Sequence, residues 1–200
     1  MGLKAVPNFL SLSEAQILYY ESHLHQLPEA LLRGFVIPVF LSRVFETETV
    51  TIGTMDGTET IAQAKDVFTG CIDFDFIKWG LSKPGKATQA TNAIIYETVN
   101  DGSFAELFGG ISGDLNRLCW QESQVVNFCR EHPDKLRKDG YGTFFLITKD
   151  GEPAKEDKSN VFVANVRVYD VSRLKVHVRK FSYVGFWGAE YCLCIVVPQQ

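Results

Sequence analysis

Cysteine and histidine side chains are the groups in this sequence best suited to nucleophilic or metal chemistry, and the chain has five cysteines and four histidines. Cys129 and His132 lie near the expected end of a helix, and Cys119 could approach them, but a structural zinc site needs four ligands in short paired spacings. A cysteine nucleophile needs an adjacent base and a group that orients that base. Neither pattern occurs around these residues, so the sequence predicts no catalytic residue, no metal site and no cofactor.

A second chemical feature is a group of cationic side chains on two predicted strands. Residues i and i+2 share a face of a strand, so Arg167 on one strand and Lys175, His177 and Arg179 on the next point away from the core. We call these four residues the cationic face. Such a face could hold a phosphate backbone by charge, with aromatic neighbours stacking on bases, although the solvated side of an ordinary antiparallel sheet has the same composition. We predict these residues as the ligand-binding candidates.

A third feature is the segment SYVGFWGAE, Ser182–Glu190, which we call the aromatic loop. Its glycines favour a loop, and Tyr183, Phe186 and Trp187 are the residue types that most often anchor protein interfaces. The alternative is that the loop folds down and caps the sheet. We predict these three aromatic residues as interface candidates.

Strands of the C-terminal part must position both features. Apolar, β-branched and aromatic runs separated by turn residues predict an antiparallel meander over Gly142–Lys149, Asn160–Tyr169, Leu174–Phe181 and Tyr191–Val197. One side of the second and third strands is apolar and is expected to face the core: Phe162, Ala164, Val166, Val168, Leu174, Val176 and Val178.

Several short helices are predicted to pack with the meander. Capping and spacing signals place helices at Ser11–Gln26, Leu27–Arg33, Thr58–Phe68, Phe74–Trp79 (capped by Asp73), Ser103–Phe108 and Gln121–Arg130. Strands are predicted at Phe35–Phe45, Glu48–Ile52 and Ala93–Val99, the first two as a hairpin. The sequence therefore predicts an α+β fold with short N-terminal helices.

Length and composition fit one globular domain. The chain has 200 residues, 46% of them hydrophobic, and a net charge of -4, so we expect a single domain over 1–200, with a weak subdivision possible near 109–113. A nucleic-acid partner would have to use a local basic patch. Five cysteines without framework spacing favour the cytoplasm, and neither a secretory signal nor a membrane span is expected.

Three C-terminal segments resemble functionally uncharacterised bacterial hypothetical proteins: Phe128–Pro133, Asp139–Leu146 and Val196–Gln199. The resemblance implies a bacterial origin and transfers no site residue. We therefore predict a non-enzymatic binding or assembly module whose partner is another protein or a second copy of the chain. One alternative is an enzyme with a Cys/His pocket. The other is a nucleic-acid binder that uses the cationic face.

Overall fold

The computed structural model describes residues 40–43, 50–138, 141–170 and 173–199. These residues belong to one compact unit, Val39–Gln200. The helices predicted at Ser11–Gln26 and Leu27–Arg33 lie outside the described residues, as does most of the strand predicted at Phe35–Phe45. The prediction of a single domain over the whole chain stays a prediction.

A nine-stranded mixed sheet dominates the described part of the chain. Its strands are β1 (Leu41–Arg43), β2 (Val50–Ile52), β3 (Cys71–Ile72), β4 (Thr91–Thr98), β5 (Cys119–Trp120), β6 (Gly142–Thr148), β7 (Val161–Asp170), β8 (Arg173–Lys180) and β9 (Cys194–Pro198). Across the sheet the order is β1, β4, β9, β6, β7, β8, β3, with β2 also paired to β4 and β5 also paired to β6. The fold is a sheet-rich α+β arrangement.

Three short α-helices accompany the sheet in the described ranges: α1 (Asp75–Lys78), α2 (Phe104–Gly109) and α3 (Glu122–Glu131). All three overlap predicted helices, but the N-cap of α1 is Phe74, without a side-chain cap bond, and not Asp73 as predicted. The backbone N–H of Asp75 donates to Asp73 Oδ1, and Ser103 forms a capping box with Glu106. Both bonds act within one turn of chain and stabilise the starts of α1 and α2 locally.

The predicted meander holds for three strands and fails for the fourth. β6, β7 and β8 are antiparallel neighbours, but β9 does not continue beside β8. It lies between β4, to which it is antiparallel, and β6, to which it is parallel. Residues Cys194 to Val197 are all buried, and a strand buried on both sides is more stable in the middle of a sheet than at its edge.

The predicted hairpin of the first two strands is also wrong. β1 and β2 both pair antiparallel with β4, opposite its residues 96–98 and 91–93 respectively. They therefore run in the same direction along one edge of β4. Hairpin strands must run in opposite directions.

The helix predicted over Thr58–Phe68 is replaced by successive turns. Its apolar positions Ile61, Ala64 and Phe68 are buried, as the spacing predicted. Oxygens of local and distant side chains, however, accept hydrogen bonds from the backbone N–H groups of this segment. Asp56 Oδ1 accepts from the N–H of Thr58. Glu122 Oε2, in α3, accepts from the N–H of Ile61. Such bonds compete with a helical ladder.

Two apolar clusters cover the two sides of the sheet. The first contains α3, the segment after β2 and the predicted core side of β7 and β8, whose residues Phe162, Ala164, Val166, Leu174, Val176 and Val178 are buried. The second packs α2 against the opposite side of β6, β7 and β9. No helix within the described ranges has both the length and the apolar character needed to cross a bilayer.

Candidate functional site

The register of β7 and β8 brings the cationic face together. Arg167 lies opposite Lys175, and His177 and Arg179 follow at alternate positions opposite Asn165 and Val163. Directly opposite residues share a side of the sheet. Arg167 is exposed and the other three cationic residues are partly exposed, so the four side chains form one solvent-facing surface.

Asp73 is an acidic member of this surface that the sequence did not reveal. β3 pairs in parallel with the outer edge of β8, and this places Asp73 Oδ2 3.5 Å from His177 Nδ1 and 3.6 Å from Arg179 Nη1. The sequence identified Asp73 only as a helix cap. Its ion pairs depend on a parallel contact between segments about a hundred residues apart, for which no local signal exists.

Tyr169 contacts Lys175, at the end of the cationic face opposite to Asp73. The ammonium of Lys175 lies 3.4 Å from the centroid of the Tyr169 ring, an arrangement in which the negative face of the ring attracts the cation. The Tyr169 side chain is itself 62% exposed. Lys175 and Tyr169 therefore present a charge and an aromatic edge to solvent together.

The aromatic loop is anchored at one end and projects at the other. The ring of Trp187 packs 4.9 Å from that of Phe144 and 5.2 Å from that of Phe104, and its backbone forms a bridge with Gly102. Phe186 is 73% exposed and Val184 is 88% exposed. Trp187 therefore fastens the loop to the sheet, while Phe186 and its neighbours project into solvent.

The two predicted features adjoin on the same side of the sheet. One row across the strands contains Phe144, Asn165 and His177, each directly opposite the next. Trp187 covers Phe144 at one end of this row, and His177 belongs to the cationic face at the other. Adjacent strands are about 4.8 Å apart, so about 10 Å separates the two ends. We call the combined area the composite surface.

Three of the five cysteines, Cys119, Cys129 and Cys194, are poor candidates for nucleophilic chemistry. Burial raises the pKa of Cys119 to about 12 and that of Cys194 to about 11, and it raises the pKa of the fully buried Cys129 above its ordinary range. These three thiols are neutral at neutral pH, and the thiolate is the reactive form. The Nε2 of His132 lies 3.2 Å from the carbonyl oxygen of Thr51, and no hydrogen bond joins His132 to Cys129 among the described residues.

Metal ligands do not gather in the described residues either. They contain no group of three or more His, Cys, Asp or Glu side chains placed to hold an ion.

Glu122 is a buried acid that no sequence signal marked. It lies in the first turn of α3, is 8% exposed, and its Oε2 accepts from the backbone N–H of Ile61 at 2.9 Å. Burial raises the pKa of Glu122 to about 8 against the opposing effect of the Ile61 N–H, and the Asp150 carboxylate raises it further. The carboxyl group is therefore mostly protonated at neutral pH.

Comparison of the chain with protein-family models, curated proteins and solved structures finds no match. The geometry of the described residues is thus the basis for a function. The resemblance to bacterial hypothetical proteins stays a prediction.

Proposed function

We propose that the protein is a non-enzymatic binding module that recognises a protein partner with acidic and apolar side chains. The observation that supports this proposal is the composite surface, on which the cationic face and Trp187, the anchor of the aromatic loop, lie on the same side of the sheet. Protein interfaces combine apolar anchors with a polar rim. The aromatic loop supplies the anchors and the cationic face supplies the complementary charge.

The charge of the surface favours an acidic protein segment over a nucleic acid. The whole chain carries a net charge of -4, so attraction of a polyanion depends on a local cationic patch such as the cationic face. Asp73 neutralises part of that face, because it lies within 4 Å of both His177 and Arg179. A continuous phosphate backbone would meet this carboxylate, whereas a protein segment can place a neutral or donor group against it.

The apolar part of the surface is concentrated in one loop. Tyr183, Val184 and Phe186 expose 47%, 88% and 73% of their surface, and Trp187 holds the loop in place through its contacts with Phe104 and Phe144. A preorganised loop loses less conformational entropy when it binds. Val184 is an addition to the interface residues that the sequence predicted.

The test measures binding of fluorescent peptides by anisotropy at low and moderate salt. The acidic probe is a peptide of alternating Glu and Phe, and the comparison probe is single-stranded oligothymidylate. Reversal of charge with Arg167→Glu and Arg179→Glu is expected to weaken peptide binding roughly tenfold or more, mainly at low salt. Replacement of the exposed anchors with Val184→Ser and Phe186→Ser is expected to weaken it at both salt concentrations.

The matched control reverses two exposed lysines outside the composite surface, with Lys65→Glu and Lys138→Glu. It changes the net charge by the same amount and should leave peptide binding unchanged. Equal loss of peptide binding in the lysine control and in the variant with Arg167→Glu and Arg179→Glu would show that only net charge matters. That result would refute the proposal. Tighter binding of oligothymidylate than of the peptide, abolished by the Arg167 and Arg179 reversals, would assign the surface to nucleic acid instead.

A further inference from the structure

Two buried polar atoms on the composite surface have no hydrogen-bond partner. Among the described residues, seven buried side-chain nitrogen and oxygen atoms make no hydrogen bond, and four of these are hydroxyl oxygens. Asn165 Oδ1, an acceptor, and Trp187 Nε1, a donor, belong to the remaining three. A buried polar atom without a partner is unfavourable, so each such atom in a folded protein calls for an explanation.

Asn165 lies at the centre of the row that defines the composite surface. It is directly opposite Phe144 on β6 and His177 on β8. Its side chain therefore lies between the ring that Trp187 covers and the cationic face. Arg167, two residues further along β7, is on the same side of the sheet, and directly opposite residues have Cβ atoms roughly 5 Å apart. A group that bonds to Asn165 is thus within reach of both parts of the surface.

The fold leaves room for the Asn165 oxygen at Gly142. A Cβ on Gly142 would overlap Asn165 Oδ1 and press on the ring of Phe144, so the missing side chain of Gly142 gives the amide its space. Rotation about the last torsion of an asparagine is broad and roughly two-fold. The amide can therefore turn its oxygen toward a partner without a change in the backbone of β7.

Asn160 shows how a buried asparagine is satisfied in this fold. It is 6% exposed, close to the 5% of Asn165. Its Oδ1 accepts from the N–H of Lys155 at 2.8 Å, and its Nδ2 donates to the carbonyl oxygen of Pro153 at 2.9 Å. These bonds hold the loop that precedes β7. Asn165 Oδ1 makes no such bond within the described part of the chain, so an apolar side chain would suit the folded protein at least as well.

The missing partner of Asn165 Oδ1 must be a hydrogen-bond donor. The neighbouring cations of the cationic face repel an ammonium or guanidinium group, so the donor is a neutral N–H or O–H. In a segment with acidic and apolar side chains, the carboxylates only accept and the apolar groups do neither. The donors of such a segment are its backbone N–H groups.

We propose that Asn165 Oδ1 accepts a hydrogen bond from a backbone N–H of the acidic protein segment that the composite surface binds. This contact rests on the function proposed above and makes Asn165 a specificity-determining residue, because it fixes where the backbone of the partner lies. The cationic face pairs with the carboxylates of the segment, and the aromatic loop contacts its apolar side chains. Trp187 Nε1, beside the same Phe144 ring, is a second atom that the segment can satisfy, through a backbone carbonyl.

The test extends the anisotropy assay to ester versions of the peptide of alternating Glu and Phe, with both ends blocked. In one version the N–H groups of all Phe residues are replaced by oxygen, and in the other those of all Glu residues, so the result does not depend on the binding register. At least one version is expected to bind the wild type roughly fivefold more weakly than the parent peptide. Asn165→Leu is expected to bind the parent roughly fivefold more weakly and to bind that ester version as well as the parent, because the acceptor is gone.

Urea unfolding separates this role from a structural one. Asn165→Leu should be at least as stable as the wild type, because it removes an unpartnered polar group. Asn160→Leu is the matched comparison and should unfold at a lower urea concentration, because it breaks two buried hydrogen bonds. A clear loss of stability in Asn165→Leu would show that the amide serves the folded chain and would overturn the assignment.

Three binding results would overturn the assignment while the proposed function stands. The first is full binding by a folded Asn165→Leu when Arg167→Glu with Arg179→Glu weakens binding. The second is an ester effect that persists in Asn165→Leu. The third is equal binding of the parent and both ester versions to the wild type, a measurement that needs no variant. Absence of any peptide binding to the wild type would instead refute the proposed function, and the role of Asn165 with it.

Discussion

Replacement of Glu122 by glutamine should abolish a pH dependence of stability that this single residue confers. Glu122 is buried at the start of α3 and accepts from the N–H of Ile61. Glutamine keeps the shape of the side chain and an oxygen for that N–H but cannot ionise. The substitution thus separates the charge of the group from its packing.

The sign and size of the effect follow from the pKa of Glu122. That pKa rises from 4.5 to about 8 in the folded protein, so the folded state holds its proton more tightly than the unfolded state does. The stability contributed by Glu122 is complete below pH 4.5 and is lost as the pH rises through 8. At 1.36 kcal/mol per pH unit, this interval corresponds to an upper limit of about 5 kcal/mol.

Urea unfolding of the wild type and of Glu122→Gln between about pH 5 and pH 9 measures this loss directly. The free energy of unfolding of the wild type should fall relative to that of the variant across this range, and the variant should be the more stable protein above pH 8. Glu131→Gln, at the exposed end of the same helix, is the control and should keep the wild-type slope. Parallel curves for wild type and Glu122→Gln would refute the reasoning.

Three further predictions concern stability and charge. Gly57→Ala should destabilise the protein by more than about 1 kcal/mol in urea unfolding, because Gly57 has a φ of +80° and a Cβ would overlap the facing backbone; Gly109→Ala, in open space within α2, should be neutral or slightly stabilising. Trp187→Ala should cost roughly 3 kcal/mol, whereas Phe186→Ala, which removes an exposed ring, should change stability by less than about 0.5 kcal/mol. Asp73→Asn should strengthen binding of the acidic peptide at low salt, because it removes the carboxylate beside two cations; unchanged binding would contradict the role of the cationic face.

Local sequence was sufficient for the elements whose signals lie within a few residues. The strands β6, β7 and β8 and the buried alternation of β7 and β8 follow from side-chain periodicity. The capping box of Ser103 and Glu106 in α2 also lies within four residues, although the prediction of that helix did not use it. The cationic face could also be predicted from local sequence, because alternation within each strand placed Arg167 and His177 on the side away from the first apolar cluster.

Tertiary structure decided the features that depend on which distant segments meet. The apolar run of β9 is compatible with an edge or a central strand, and only pairing with β4 and β6 placed it in the middle. Contacts between distant segments also bring Asp73 to the cationic face. Such contacts bury Glu122 as well, and this burial raises its pKa. Alternation determines which side a residue faces, but the order of strands across a sheet is set by the packing of the whole chain.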